Sequence, residues 1–449
     1  MIETLREKLN TQFPGIVDEL CDLIRIPSVS SSTFDQEKVW ESARHVEARF
    51  KALGLSTQIL SAPAENGEAG RPAVVAQTKK IAGAPTVLLY AHHDVQPAGD
   101  ESRWQTPPFE PSIRDGRLYG RGSSDDGAGI VVHWGALQLL AEELPVNVTV
   151  FIEGEEEIGS PSFNNFLRQY HDLLEADYII VADSDNWQVG APALTSSLRG
   201  LVDAEVHLQV LEHALHSGMF GGPILDAVTL ASRLIATFHD DQGDVAIAGL
   251  AGSKEADVDW DEADFRRDSS LLPGVELAGT GDLASRMWTQ PALSIIGFDA
   301  TSVANASNTI APECRFKVSV RLAPGTDGKE AMAALVAHIN ANIPFGAKVT
   351  VTEGEFGPSY QADLSSEAAQ IAHQALSDAW GVPSVNIGVG GSIPFISDFQ
   401  REFPQAQVIV TGVEDPATNA HSENESQHLG DLEAAVLAEA LMLLRFAKN

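Results

Sequence analysis

The 449-residue sequence predicts an α/β protein in which a mainly parallel-sheet domain is interrupted by an inserted α+β domain. Three observations carry that expectation. Short β-branched and apolar runs alternate with segments of helical periodicity, as in a parallel sheet covered by helices on both faces. Several runs end abruptly in histidines or acids, and open α/β sheets bind ligands beyond the carboxyl ends of their strands. After Trp187 the texture changes to longer strand-like runs with two helical segments, which sets a separate domain in the middle. The boundaries read as 1–197, 198–355 and 356–449, with the first and last pieces forming one domain.

Leu5, Leu9, Phe13, Ile16, Leu20, Leu23 and Ile24 recur at helical spacing, so an amphipathic helix opens the chain, with Pro14 a candidate kink and Pro27 the stop. Residues 74–76 and 86–90 read as strands, and polar 65–71 as a turn. A loop rich in turn residues, 120–127, precedes a helix over 130–144, and 146–152 and 178–182 are further strands. In the middle domain, 198–210, 293–296, 315–322 and 348–351 are strand-like, with helices over 225–238 and 329–343. Acidic 240–286, rich in Gly, Ala and Asp, reads as a long loop or short helices over the surface. The first domain resumes with a helix over 366–379, glycine-rich 388–392, a strand over 407–413 and a closing helix over 432–447.

Composition narrows the function. A formal net charge of −34 opposes binding to nucleic acid or anionic membranes. Two cysteines, Cys21 and Cys314, make no disulfide framework and suit a reducing compartment. The first residues lack a basic-then-apolar leader, and no apolar run reaches the ~18 residues of a membrane span. A cytoplasmic protein without nucleic-acid or membrane partners is expected.

The chemistry gathers at the strand ends. His92 and Asp94, two apart, share a side of an extended chain, and a metal-ligating histidine usually donates its other N–H to a carboxylate. The run 148–152 leads into Glu153-Gly154-Glu155-Glu156-Glu157, 179–181 into Asp183-Ser184-Asp185, and 408–410 towards Asn419-Ala420-His421-Ser422. Carboxylates crowded at the edge of a core repel one another unless a cation sits among them. Imidazole mixed with carboxylate suits zinc, with manganese or cobalt as alternatives. The number of carboxylates suggests two ions that share one of them.

These residues resemble the co-catalytic di-zinc exopeptidases and deacylases, a family that includes carnosinases, cytosolic dipeptidases, aminoacylases and succinyl-diaminopimelate desuccinylases. The resemblance covers nearly the whole chain. It rests on Leu23-Ile24-Arg25-Ile26-Pro27-Ser28-Val29-Ser30, His92-His93-Asp94-Val95-Gln96-Pro97, Tyr119-Gly120-Arg121-Gly122 through Asp126, Glu153 through Ser160, His216-Ser217-Gly218 and Ala420-His421-Ser422. It implies a zinc-exopeptidase-like catalytic domain with an inserted lid and dimerisation domain. By that similarity His92 and Asp183 hold zinc together with bridging Asp125, and Glu157 and His421 complete two sites, His92 and Glu157 serving different ions. Asp94 then orients His92, and Glu156 is the general base. Adjacent residues of an extended segment point apart, so Glu157 is free to ligate while Glu156 faces the water. Glu155 with Glu156, and Asp185 in place of Asp183, stay open as alternative assignments.

In the inserted domain the resemblance implies that His216 reaches the active site of a partner subunit and stabilises the oxyanion, which makes a homodimer a catalytic requirement. A histidine in a glycine-rich loop is also often a structural hydrogen-bonding group. Arg321 matches an arginine that grips the substrate carboxylate, a task suited to a planar bidentate guanidinium. Asn308 and the Gly390-Gly391-Ser392 turn, with Gly391 and Ser392 foremost, are candidate donors to the same carboxylate. One departure matters: the family often has Asp-x-Lys-Gly where this chain has Asp125-Asp126-Gly127-Ala128. Family members also place a cis peptide after the bridging aspartate. The 94–97, 216–222 and 391–394 wording resembles the dipeptidase branch. The expected activity is hydrolysis of dipeptides, with N-acyl amino acid deacylation, or ligand binding without catalysis, as the rivals.

Overall fold

The structure is a computed structural model and describes residues 2–391 and 394–447. The chain forms two compact units: Met1–Ser196, Ala362–Ile387 and Asp398–Asn449 make the first, and Ser197–Gln361 with Gly388–Ser397 the second.

The first unit is built on a six-stranded sheet, in the order Ser56–Leu60, Ala73–Gln77, Asn147–Glu153, Thr86–His92, Tyr178–Ala182 and Gln407–Thr411. The last four strands run parallel, and the first two add antiparallel at one edge. The inner parallel strands are buried along their length, which is why they read as continuous apolar runs. On one side Leu89, Val150 and Ile180 pack in a core with the helices Ile2–Ile24, Gly127–Leu140, Glu367–Trp380 and Leu429–Phe446. Elsewhere Tyr90 and Phe151 meet Phe163, Phe166 and Phe399, with Phe151 stacked on Phe166 at 4.8 Å and Tyr90 edge-on to Phe399 at 5.4 Å.

Pro14 lies inside the helix Ile2–Ile24 without ending it. A helix at Glu37–Ala52 goes beyond the sequence reading, although its buried Val39, Ala43, Val46 and Phe50 keep helical spacing. The helix Gly127–Leu140 is capped by Asp126, whose Oδ1 accepts from Gly129 N at 3.0 Å. A Cβ at Gly127 would lie 2.3 Å from the Gly122 carbonyl, so the family lysine has no room in this loop. The Asp125–Asp126 peptide bond is cis. A small sheet pairs Ser426 with Tyr119 and lays the segment after His421 beside the loop that carries Asp125.

The second unit is a four-stranded antiparallel sheet, in the order Ala292–Asp299, Glu313–Leu322, Gly200–Gln209, Lys348–Gly357. Burial alternates along Glu313–Leu322, because helices Ala227–Ile235 and Gly328–Ala341 cover one face only. The acidic stretch 240–286 holds two short helices, Glu262–Asp268 and Leu283–Trp288. Among the described residues no helix is long and apolar enough to cross a membrane.

Candidate metal and catalytic centre

The first unit's sheet delivers its polar residues to one rim. His92 ends its strand and Asp183 directly follows the neighbouring one. Glu156 and Glu157 come just after Asn147–Glu153, and His421 follows the strand Gln407–Thr411. Asp125 stands just before the Gly127–Leu140 helix. His92 Nε2 is 3.0 Å from Asp125 Oδ1 and 3.9 Å from Asp183 Oδ1. His421 Nε2 is 2.8 Å from Asp125 Oδ2 and 3.2 Å from Glu157 Oε2. Two triads result, His92–Asp125–Asp183 and Asp125–Glu157–His421, and in each the candidate ligand atoms lie within 4.8 Å of one another. Asp125 belongs to both, one carboxylate oxygen turned to each.

The electrostatics of this rim are those of crowded, poorly hydrated acids. Burial, with Asp126 adding to it, pushes the Asp183 carboxyl well above the usual range, and burial with Asp125 raises Glu157. Glu156 is pushed up to about 7 by burial, with Glu157 and Asp125 acting in the same direction. Burial also acts on Asp125, but hydrogen bonds to His421 and His92 outweigh it and hold that carboxyl low. The same bonds to Asp125 and Glu157 raise His421 to about 10. Glu157 Oε1 is buried without a hydrogen-bond partner among the described residues. Such a set, two imidazoles among carboxylates with an orphaned buried oxygen, has the donors a pair of divalent cations takes.

The surroundings fix these groups through the backbone. Asp94 accepts from Glu156 N at 3.1 Å and Glu157 N at 3.0 Å, and its Oδ1 lies 3.5 Å from His92 Nδ1. The shorter contact of that nitrogen, 2.9 Å, is with the Asp94 carbonyl. Glu156 and Glu157 open a 3₁₀ turn, Glu156–Ile158, and not the extended segment expected from sequence; its threefold pitch still turns the two side chains apart. Glu155 is occupied elsewhere, accepting from Arg71 N at 2.9 Å, from Ser162 N at 2.7 Å and from the Ser162 hydroxyl. Asp185 stands outside both triads and pairs through its backbone with Glu414.

Two supports went unremarked in the sequence. Gln96 Nε2 donates to Glu157 Oε2 at 2.8 Å. Glu425, fully buried, accepts from Gly122, Ser124 and Asp125 N–H groups at 2.9–3.1 Å and pairs with Arg121 at 2.7 Å, so it clamps the loop of the shared aspartate. Its only sequence signal is the acidic spacing after His421. His421 itself sits at φ +59°, between Asn419 at +56° and Asn424 at +62°. Left-handed backbone is uncommon outside glycine, although Asn and His adopt it more readily than most, and it collects at functional loops.

The second unit holds the remaining candidates. His216 is exposed at the end of a short strand paired with Thr309, and its Nδ1 accepts from Gly218 N at 3.1 Å, which leaves the proton of a neutral ring on Nε2. Asn308 is its neighbour, with its carbonyl accepting from Ser217 N at 2.9 Å. Arg321 lies on the strand Glu313–Leu322, opposite Leu201. Gly391 has open space where a side chain would stand, and Ser392 lies outside the described residues.

A family model described as peptidase family M20/M25/M40 matches residues 88–445, a span that holds both triads, His216 and Arg321. The chain belongs to this family. Within it, the cysteinylglycine-S-conjugate dipeptidase of Corynebacterium striatum is 33% identical over 440 residues, which cover 96% of each chain. The Beta-Ala-His dipeptidase of Rattus norvegicus is 27% identical over 86% of this chain and 81% of its own. Human carnosine dipeptidase 1 shares the fold, with a TM-score of 0.75 at 22% identity over 100% of this chain and 99% of its own. These relatives are named as dipeptidases, as the dipeptidase wording of the sequence implied.

Proposed function

We propose that this M20-family chain is a metal-dependent dipeptidase that hydrolyses the peptide bond of small dipeptides. The observation that carries the reading is Asp125, whose two oxygens face two separate triads. His92 and Asp183 would hold one divalent ion, Glu157 and His421 the other, and Asp125 both; zinc suits this donor set, with manganese and cobalt as alternatives. When bound, such ions lower the pKa of water and polarise the scissile carbonyl.

The chain's own groups supply the rest. Glu156 belongs to neither triad and its backbone N–H is pinned by Asp94, so its carboxylate stays free to serve as the general base. It takes the proton of the attacking water and gives it to the leaving amine. His216, with a proton on Nε2, would donate to the oxyanion in the site of a partner subunit. The second unit exposes apolar side chains suited to an interface: Met219, three residues after His216, is 76% exposed and Val303 94%, and the edge strand Ala292–Asp299 leaves Ile296 and Phe298 uncovered. Arg321 and Asn308 would meet the substrate carboxylate.

Amino-acid release from dipeptides, tripeptides and N-acetyl amino acids, with and without chelator, tests the reading. Chelator-sensitive cleavage of dipeptides is expected. Cleavage confined to acylated substrates would move the chain to the deacylases, and no cleavage at all would return the binding-protein reading.

A further inference from the structure

Behind the rim, the first unit buries a pair of ionisable side chains that neither triad uses. Along the helix Gly127–Leu140 the buried positions are apolar or glycine except one, His133, which is 0% exposed. Its Nδ1 lies 2.8 Å from Oε2 of Glu439, itself buried in the closing helix Leu429–Phe446, and its Nε2 lies 3.0 Å from the Tyr90 carbonyl. A carbonyl only accepts, so Nε2 donates, and the contact with Glu439 holds one further proton. Glu439 Oε1 has no hydrogen-bond partner among the described residues. A buried pair left partly unsatisfied adds little to stability, and apolar residues of similar volume often serve a core as well or better. The reason for this pair lies in what it touches.

Tyr90 stands two residues before His92, at the point where the sheet divides. The strand Thr86–His92 keeps its pairing with Asn147–Glu153 as far as His92, but with Tyr178–Ala182, the strand that leads to Asp183, only as far as Tyr90. Beyond Tyr90 the segment that opens the helix takes over, and His92 N donates to Asp126 Oδ2 at 3.1 Å. Asp126 and His133 are seven residues apart, about two helical turns, so both meet the same strand. A Cβ at Gly129 would lie 2.3 Å from the Ala182 carbonyl, so the start of the helix is wedged against the neighbouring strand as well. The Tyr90 side chain is fixed too, its hydroxyl donating to Glu153 Oε2 at 2.6 Å. These anchors hold His92 Nε2 and Asp183 Oδ1 3.9 Å apart, a gap that one ion with ligand bonds of about 2 Å can bridge.

We infer that His133, backed by Glu439, is a positioning residue for the ion held by His92 and Asp183 and has no part in holding the ion of Glu157 and His421. The inference rests on the two-ion site of the proposed dipeptidase. The pair acts through the Tyr90 carbonyl on the direction of the His92 ring, and supports of this kind behind a ligand are worth about 10- to 100-fold in metal affinity.

Calorimetric titration of the chelator-stripped full chain with Zn²⁺ tests it in two backgrounds: His421→Ala, which keeps the His92–Asp125–Asp183 triad, and His92→Ala, which keeps the Asp125–Glu157–His421 triad. Adding His133→Leu together with Glu439→Leu should weaken Zn²⁺ binding about 10- to 100-fold in the first background and less than about twofold in the second, with Tm unchanged or raised. His133→Gln, which keeps a donor for the Tyr90 carbonyl, should recover part of the loss. If the leucine pair does not fold, His133→Met against His133→Gln makes the same comparison, with glutamine expected to bind the ion more tightly. Equal weakening in both backgrounds, or methionine as good as glutamine, would reduce the pair to a support of the core. Unchanged affinity in the His421→Ala background, or no Zn²⁺ binding there before the pair is altered, would end the inference. The titrations need no substrate: selective weakening in a protein that cleaves no dipeptide would sink the dipeptidase reading and keep the positioning role, and an active dipeptidase without the selectivity would do the reverse.

Discussion

The acid-and-histidine rim of the first unit and the charged sheet face of the second obey different rules. On the rim, Asp94 and Glu425 spend their oxygens on backbone N–H groups of the segments that carry Glu156, Glu157 and Asp125. Ligand positions there are set before any ion arrives. On the second unit the side chains are individually ordinary: among the described residues Arg321 has no acid partner, and His216 stands exposed at the end of a short strand. The first region is legible from what it contains, the second from what it lacks. The two should therefore fail differently when mutated.

The largest effect is expected at the rim. Asp125→Ala should remove both metals and all measurable turnover, whereas Glu156→Gln should keep the metals and lose about 10²- to 10⁴-fold in kcat. Metal content by mass spectrometry beside kcat separates them. Wild-type turnover in Glu156→Gln would give the base to another residue, and metal retained by Asp125→Ala would remove the shared-ligand reading.

A smaller loss is expected on the second unit. His216→Ala should cost about 10²- to 10³-fold in kcat, the scale of one lost oxyanion donor, with full metal content. If the histidine serves a partner's site, mixing inactive His216→Ala and Glu156→Gln subunits should regain activity, since one composite site per mixed dimer is intact. Absence of any regain, with mixed dimers demonstrated by native mass spectrometry, would return His216 to the site of its own chain or to a structural role.

How much of this was legible follows from the same contrast. Buried parallel strands announce themselves as apolar runs, and acids placed directly after them are conspicuous, so the strand ends at His92, Glu157 and Asp183 stood out. The helix Glu37–Ala52 was overlooked because its charged residues mask a narrow apolar stripe. The 3₁₀ turn at Glu156 depends on Asp94 holding two N–H groups from 62 and 63 residues away, which no local pattern reports. Glu425 acts by folding back on a loop 300 residues earlier.

The smallest effect, a dependence of stability on pH and metal, sharpens the contrast most. Without ions, Glu156 is raised to about 7, and Glu157 and Asp183 also lie above their ordinary values. A carboxyl with a higher pKa folded than unfolded binds more protons in the folded state. Its contribution is full below its unfolded value and is lost as pH rises through the folded one. His421, raised to about 10, has the same sign and loses its contribution as pH climbs from neutrality through that value. Asp125, held low, has the opposite sign, but its contribution is lost only on strong acidification. The chelated protein should therefore melt lower at about pH 9 than at about pH 5, with Glu156 alone accounting for roughly 3 kcal/mol at 1.36 kcal/mol per pH unit. That is a few degrees of Tm for a chain of this size. Divalent ions require deprotonated ligands, so the gain in Tm on adding metal should widen as pH rises. Where calorimetry resolves two transitions, the one belonging to the second unit should move with neither variable. A metal-induced gain that is the same at both pH values would mean that the ions are held away from these carboxylates.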